Sequence, residues 1–351
     1  MSALAPSIAG AVVRPAAPSA GAAASCASAP ASADAVLPPP PTATSASAAP
    51  LVSVVIPTYE RGYCIGACIA SVLAQTLAEI EVIVVDDASG DDTAARVAAF
   101  DDARISYVAL AVNQGGAAAR NAGIRRARGE FVAFLDSDDV WLPNKLASQV
   151  AGLRDGGPRC GISYTWLACV DDDGAETLRI HPDVDGDCFE QMLVSNFVGS
   201  FSNLVVRRDL LLDAGGLDEA FRSCQDWDLL IRLCRRATVH CERDYLVRYL
   251  QSASDAVRIS TNPRSVVQGH RRILAKFAAD YAALAAPARR RAYAVFMGLF
   301  AASGSVADTL RMAWASARSG AGPAELAACA HLLLRAVRRR GALLLAARRL
   351  A

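Results

Sequence analysis

The chain has 351 residues, 53% of them hydrophobic and 20% charged, with 36 Lys and Arg against 35 Asp and Glu for a net charge of +1. That length buries a substantial core in one large domain or two small ones, and near-neutral charge excludes a globally basic nucleic-acid binder. No run of about 20 strongly apolar residues marks a transmembrane helix, and the first residues lack the basic n-region and compact apolar stretch of a secretory signal.

Residues 1–50 are distinct material, holding 19 Ala, 9 Pro and 8 Ser with Arg14 and Asp34 as the only charged side chains. Pro38 to Pro41 favours extended polyproline geometry and no core-forming period is present, which predicts a disordered tract. From Leu51 the texture changes. Val52–Ile56 reads as a buried strand closed by Pro57, and Cys64 to Gln75 has apolar residues at helical spacing. Val82–Val85 is a second strand, followed by a helix from Asp91 to Phe100 under an Asp-rich turn. Ile105 to Leu110 predicts a third strand, Gly116 to Arg126 a third helix, and Phe131 to Leu135 a fourth strand. Strands alternating with helices in this way are βαβ units on a mostly parallel sheet, so the fold class is α/β.

Beyond Asp139 the alternation weakens. Cys160 to Leu167 and Leu204 to Arg207 read as strands, Asp171 to Gly174 as a turn, and Asp226 to Arg236 as a helix. From Pro263 to the end Ala, Leu and Arg dominate and the chain reads as helical. The expected division is therefore a disordered tract over 1–50, an α/β domain over 51–262 and a basic helical region over 263–351. Between Pro287 and Ala351 there are 11 Arg against Asp308 and Glu325, a balance of +9 that leaves about −8 for the remainder. Two readings stand: a face for an anionic membrane surface, or a helical appendage packed on the domain with a solvated Arg face.

Ten cysteines are scattered through a chain too large for a disulfide-stapled scaffold. The closest pair, Cys64 and Cys68, lacks the further ligands of a zinc site, so buried thiols in a reducing cytoplasm are expected.

In a parallel α/β sheet ligands bind outside the carboxyl ends of the strands. Here those ends carry Pro57-Thr58-Tyr59-Glu60, Asp86-Asp87-Ala88-Ser89 and Asp136-Ser137-Asp138-Asp139. Carboxylates gathered at one rim are costly unless a cation or a hydrogen-bonding ligand is expected there. The loop after the first strand has one glycine, Gly62, so a dinucleotide-binding oxidoreductase does not fit, and no Gly-x-x-x-x-Gly-Lys loop occurs. A divalent metal on carboxylates substitutes for such a phosphate cradle, and oxygen ligands favour Mg2+ or Mn2+ over zinc.

These residues in this order resemble the family 2 glycosyltransferases of the GT-A fold, non-processive type. The resemblance rests on Val52 to Arg61, Val82 to Ser89, Asn113 to Gly116, Ala119 to Gly123 and Phe134 to Asp139; it is close over about Val52 to Leu146 and looser to Arg235. It implies that Pro57, Thr58, Tyr59 and Glu60 line a nucleoside pocket, with Tyr59 against the base, and that Asp87 accepts a hydrogen bond from a uracil-like N–H. Arg120 would hold carboxylates or diphosphate, Asp136 and Ser137 would face the sugar or ribose, and Asp138 would ligate Mn2+ or Mg2+. Asp226, in Gln225-Asp226-Trp227-Asp228, would be the general base that deprotonates an acceptor hydroxyl in an inverting displacement. The implied donor is a nucleoside-diphosphate sugar, UDP-linked by preference. The implied acceptor is a glycan or lipid-linked precursor of a surface polysaccharide. The enzyme would be cytoplasmic, with peripheral contact on the inner membrane face and no nucleic-acid partner.

Departures from the family pattern are Gln225 in place of the usual Glu and Gln251 where many relatives carry His. Gln268 to Arg272 lacks the Trp of the processive Gln-x-x-Arg-Trp motif. A sugar-nucleotide nucleotidyltransferase would need a glycine-rich loop with Arg or Lys after the first strand, and Pro57 to Gly66 has none. A non-catalytic nucleotide-sugar-binding relative is disfavoured by Asp138 and Asp226.

Overall fold

In the computed structural model the described residues are 49–251 and 262–350, with side chains described to residue 342. The expected disorder of the first tract falls almost wholly outside them. A nine-stranded sheet runs in the order β3-β2-β1-β4-β8-β6-β9-β5, with β7 paired to β6. Its strands are β1 (Val52–Thr58), β2 (Ile80–Asp86), β3 (Ile105–Ala109), β4 (Phe131–Phe134), β5 (Val140–Trp141), β6 (Cys160–Val170), β7 (Glu176–Ile180), β8 (Val205–Arg207) and β9 (Thr238–Leu250). The helices are α1 (Ile65–Leu73), α2 (Thr93–Ala98), α3 (Gly116–Arg126), α4 (Lys145–Asp155), α5 (Phe189–Val194), α6 (Arg208–Asp213), α7 (Gln225–Cys234), α8 (Pro263–Lys276), α9 (Ala278–Ala283), α10 (Ala286–Ala302), α11 (Val306–Arg318) and α12 (Pro323–Leu350).

The first half follows the expected alternation. β1 pairs in parallel with β2 and β4, and β2 with β3, so their carboxyl ends share one rim. Beyond β4 the sheet turns mixed: β8 is antiparallel to β4 and to β6, while β6 and β9 run parallel. β1 continues through Pro57 to Thr58, further than expected. Pairing with β4 ends at Val55 and Phe134, so Pro57 faces no β4 carbonyl and its missing N–H breaks no ladder bond there.

Among the elements that the sequence reading does not name, β9 and α4 have clear reasons. β9 carries Glu242, Arg243 and Asp244 in its middle, and its ladder with β6 skips from Glu242 opposite Thr165 to Tyr245 opposite Trp166. The bulge takes the charges out of register and hides the alternation. α4 has Lys145 and Gln149 on its buried face, breaking the apolar stripe. Lys145 Nζ lies 4.0 Å from the Trp141 ring centre, and Gln149 Nε2 donates to the Asn203 carbonyl at 2.9 Å. Desolvation pushes the Lys145 ammonium well below the ordinary lysine range.

Side chains alternate between two cores, as a two-sided sheet requires. Val52, Val54 and Ile56 join α1 and α4 on one face; Val55 joins α3, α5, α7 and the C-terminal helices on the other. A Cβ at Gly123 would come within 2.3 Å of Val55 Cγ1, so only glycine lets α3 lie this close on β1. The C-terminal helices pack on the sheet. Ile273, Phe277, Tyr281, Phe296 and Phe300 share the core of the sheet's second face. No described helix is long and apolar enough to cross a membrane. The described cysteines are thiols, mostly buried.

Candidate active site

The rim at the ends of β1, β2 and β4 collects the residues singled out by the sequence. Thr58 is buried, and its hydroxyl has no protein partner among the described residues. Tyr59 exposes its ring. Glu60 adopts a left-handed backbone with φ 54°, donates its N–H to Ser89 Oγ at 2.8 Å and accepts from the Gly90 N–H at 2.7 Å. The β1 exit is thereby tied to the β2 exit.

The paired aspartates divide their work. Asp86 accepts from the Ser89 N–H at 2.9 Å and Ser89 Oγ at 2.6 Å, and from the Tyr107 hydroxyl. Burial, together with that hydrogen bond, pushes the Tyr107 phenol up. Asp87 accepts the main-chain N–H groups of Gln114 and Gly115, each at 2.7 Å. Gly115 has φ 94°, and a Cβ there would meet Arg222 Nη1 at 2.6 Å, so the turn that starts α3 demands glycine. Asp87 thus clamps the loop that sets the height of α3.

Arg120, one face along α3, is the hub. Its guanidinium donates to the Asp136 carboxylate and, at 3.1 Å, to Gln225 Oε1, and it lies 4.1 Å from the Phe201 ring centre. The end of β4 and the start of α7 therefore face each other across one cleft, bridged by a single side chain.

Of the β4-end cluster, Ser137 is buried and its carbonyl accepts from Cys64 Sγ at 3.4 Å. Asp138 lies 3.7 Å from Arg61 Nη2 with its side chain 13% exposed. Asp139 is fully buried and accepts from Ser202 Oγ at 2.5 Å and the Leu250 N–H at 3.1 Å. Burial, and then the charges of Asp138 and Asp136, push its carboxyl well up. Among the described residues no three His, Cys, Asp or Glu side chains are grouped to hold a metal ion by themselves.

Across the cleft, Asp226 sits in the first turn of α7. The helix is capped by Cys224, which takes the left-handed conformation with φ 59°, so Asp226 is not the cap. Asn196 Nδ2 donates to Asp226 Oδ2 at 2.6 Å. Burial raises the Asp226 carboxyl above its ordinary range, against the opposing pull of the Trp227 main-chain N–H, Asn196 and Arg120. Asp228 points the other way, fully buried between Arg232 at 2.9 Å and Lys276 at 2.6 Å. Trp227 donates Nε1–H to the Met192 carbonyl at 2.7 Å and stacks on Phe296 at 5.0 Å and 7°, with His270 edge-on at 5.9 Å.

Asn196, Arg61 and Ser202 carry contacts in this cleft that the sequence did not assign. Their partners are distant in the chain, so no local spacing marks them. Gln251 ends the described part of the loop after β9, where its N–H donates to the Val170 carbonyl at 2.7 Å; Ser252 lies outside the described residues.

Residues 53–211 match the family described as glycosyl transferase family 2. This part of the chain is a family 2 glycosyltransferase domain. The domain is 46% identical over 101 residues to the Escherichia coli UDP-Glc:alpha-D-GlcNAc-diphosphoundecaprenol beta-1,3-glucosyltransferase WfgD, covering 29% of this chain and 40% of that protein. It is 33% identical over 193 residues to the Rhizobium meliloti succinoglycan biosynthesis protein ExoO, covering 52% of this chain and 55% of that one. The chain thus spans about half the length of these curated relatives. Among solved structures, S. aureus TarS in complex with UDP-GlcNAc superimposes with a TM-score of 0.56 at 19% identity, over 83% of this chain and 92% of that one. The mannosyltransferase PcManGT from Pyrobaculum calidifontis, in complex with GDP-Man and Mn2+, gives 0.50 at 22% identity, over 83% and 87%. The glycosyltransferase domain therefore has the GT-A type of fold.

Proposed function

We propose that the protein is an inverting glycosyltransferase that moves a sugar from a UDP-linked donor to a hydroxyl of a glycan or lipid-linked acceptor in surface polysaccharide synthesis. The observation that carries this reading is the Arg120 bridge. It joins Asp136, on the donor side, to Gln225, next to Asp226 on the acceptor side. One cleft thereby holds a strand-end carboxylate cluster and a partly desolvated carboxylate opposite it.

In this reading Pro57, Thr58, Tyr59 and Glu60 form the nucleoside wall. The unpartnered Thr58 hydroxyl faces a ligand, and the exposed Tyr59 ring offers a stacking surface for the base. Asp87 already accepts two main-chain bonds, but a carboxylate has about four lone-pair sites, which leaves room for a uracil N–H. Asp136 and Ser137 address the sugar and ribose. Asp138, 3.7 Å from Arg61 Nη2, would hold a cation shared with the diphosphate, next to Asp136 and Asp139, which are held by Arg120 and Ser202. Mn2+ or Mg2+ bound there would neutralise the charge of the departing nucleoside diphosphate. Asp226, its carboxyl raised by burial and oriented by Asn196, takes the proton of the attacking hydroxyl. UDP preference is supported by the UDP-GlcNAc of TarS and the UDP-Glc of WfgD, and a lipid-linked acceptor by the diphosphoundecaprenol in the latter's name. The reaction then belongs at the cytoplasmic face of the membrane.

A thermal-shift comparison of UDP, GDP, dTDP and CMP, with and without Mn2+, on wild type and Asp138→Ala tests the donor side. A nucleotide at about 100 times its Kd adds roughly 2.7 kcal/mol, or a few degrees for a chain of this size. UDP should shift the midpoint only when both Mn2+ and Asp138 are present. Absence of a shift with all four nucleotides would overturn the assignment.

A further inference from the structure

The proposed reaction leaves one surface unexplained. α11 buries Asp308, Thr309, Met312 and Ser316 and turns Leu310 and Trp314 outward, 52% and 63% exposed. Leu310, Trp314 and Ala317 fall within about 60° of one another on a helical wheel, flanked on one side by Arg311 and Arg318. The Arg318 guanidinium lies 4.5 Å from the Trp314 ring centre. The other three tryptophans differ: Trp141 and Trp227 are buried and Trp166 is half-buried. On α12, Leu326, Leu334 and Val337 are likewise exposed and lie within about 80° of one another.

The charges of this region are unbalanced where they meet solvent. Its two acids are consumed internally. Asp308 is buried and accepts from Arg271 and Arg311, each at 2.7 Å, and Glu325 accepts from Arg290 at 3.1 Å and the Gly322 N–H at 2.8 Å. Arg291, Arg318, Arg335, Arg338, Arg339 and Arg340 meet no carboxylate among the described residues. A surface of one sign does not complement itself, which disfavours a second copy of this chain as the occupant. Exposed Trp and Leu interleaved with unpaired guanidinium groups suit a layer that is apolar below and anionic at its surface.

We propose that α11 and the exposed apolar face of α12 dock on an anionic lipid bilayer, with Trp314 and Leu310 entering the headgroup layer and the unpaired arginines contacting lipid phosphates. The surface is specific, so single exposed side chains should control binding.

The test uses the full chain with vesicles of phosphatidylcholine alone or mixed with phosphatidylglycerol, read by co-sedimentation and tryptophan emission. Wild type should pellet with the anionic vesicles at low salt, release at high salt, and shift its emission to shorter wavelength. Trp314→Glu should weaken pelleting by at least about tenfold with an unchanged melting midpoint, since the side chain is exposed. Trp314→Phe should keep the pelleting and lose the emission shift. Equal pelleting of wild type and Trp314→Glu would overturn the proposal, as would pelleting of neither. Displacement of the protein from vesicles by duplex DNA, or a dimer abolished by Trp314→Glu, would reassign the face to nucleic acid or to self-association. No sugar donor is needed, so failure here leaves the transferase reading untouched.

Discussion

The two walls of the cleft are held by different means. On the strand-end wall the carboxylates are fixed by neighbours along the rim: Asp86 by Ser89, Asp87 by the Gln114–Gly115 main chain, Asp136 by Arg120 and Asp139 by Ser202. On the α7 wall, Asp226 has Asn196 beside it, but the helix turn that carries it is fixed by a stack supplied from the far end of the chain. Trp227 is sandwiched against Phe296 with His270 at its edge, and Gly269 sits so close that a Cβ would meet Ser223 Oγ at 2.4 Å. The strand-end wall, the proposed donor side, is therefore a property of the β1–β4 half. The α7 wall, the proposed acceptor side, is a property of the whole fold, and the C-terminal helices belong to it.

The largest effect should come from Asp226→Asn, which keeps the Asn196 contact within reach but removes the proposed base. Turnover should fall by about 10²- to 10⁴-fold while UDP affinity stays constant. A loss under about tenfold in a steady-state assay would mean that this wall does not supply the base. Phe296→Ala comes next. Deleting a fully buried ring should cost about 3–5 kcal/mol in denaturant unfolding and lower turnover while sparing nucleotide affinity. Parallel loss of UDP affinity would show that the two walls are not separable.

A smaller effect concerns pH. Burial among Trp227, Phe296 and Phe300 lowers the His270 pKa to about 4, against an ordinary value of about 6.5 in the unfolded chain. Between those values the unfolded state binds the extra proton, so stability should fall as pH drops from 6.5 towards 4, by on the order of 3 kcal/mol. Melting midpoints compared across that window should fall more steeply with acid in wild type than in His270→Leu. An identical slope in both would remove His270 from the account.

The same contrast explains what was legible in the sequence. Pro57 to Glu60, Asp86-Asp87 and Asp136 to Asp138 each sit at a strand end, where the apolar run stops and polar residues begin, so position follows from local pattern. α3 was readable to the residue because Gly116 opens it and Arg126 closes it between two strands. Asn196, Ser202, Arg61 and Phe296 act only through contacts made by tertiary packing, and no spacing announces them. β9 and α4 were hidden because buried or bulged polar side chains interrupt their periods. The Arg-rich tail was visible as composition, yet its ordering against Trp227 was not.

The chain has only two lysines, and neither is idle. Lys145 is sealed under Trp141 at the start of α4, and Lys276 closes α8 between Asp218 and Asp228. A lysine-specific protease therefore has just two peptide bonds to cut, one beside the buried Lys145 and one at the exposed end of α8 at Lys276, and digestion at the first times the opening of the molecule. Trypsin also sees the exposed arginines of α12. The ratio of the two digestion rates separates fraying of the last helix from unfolding of the catalytic core, with no label and no engineered probe.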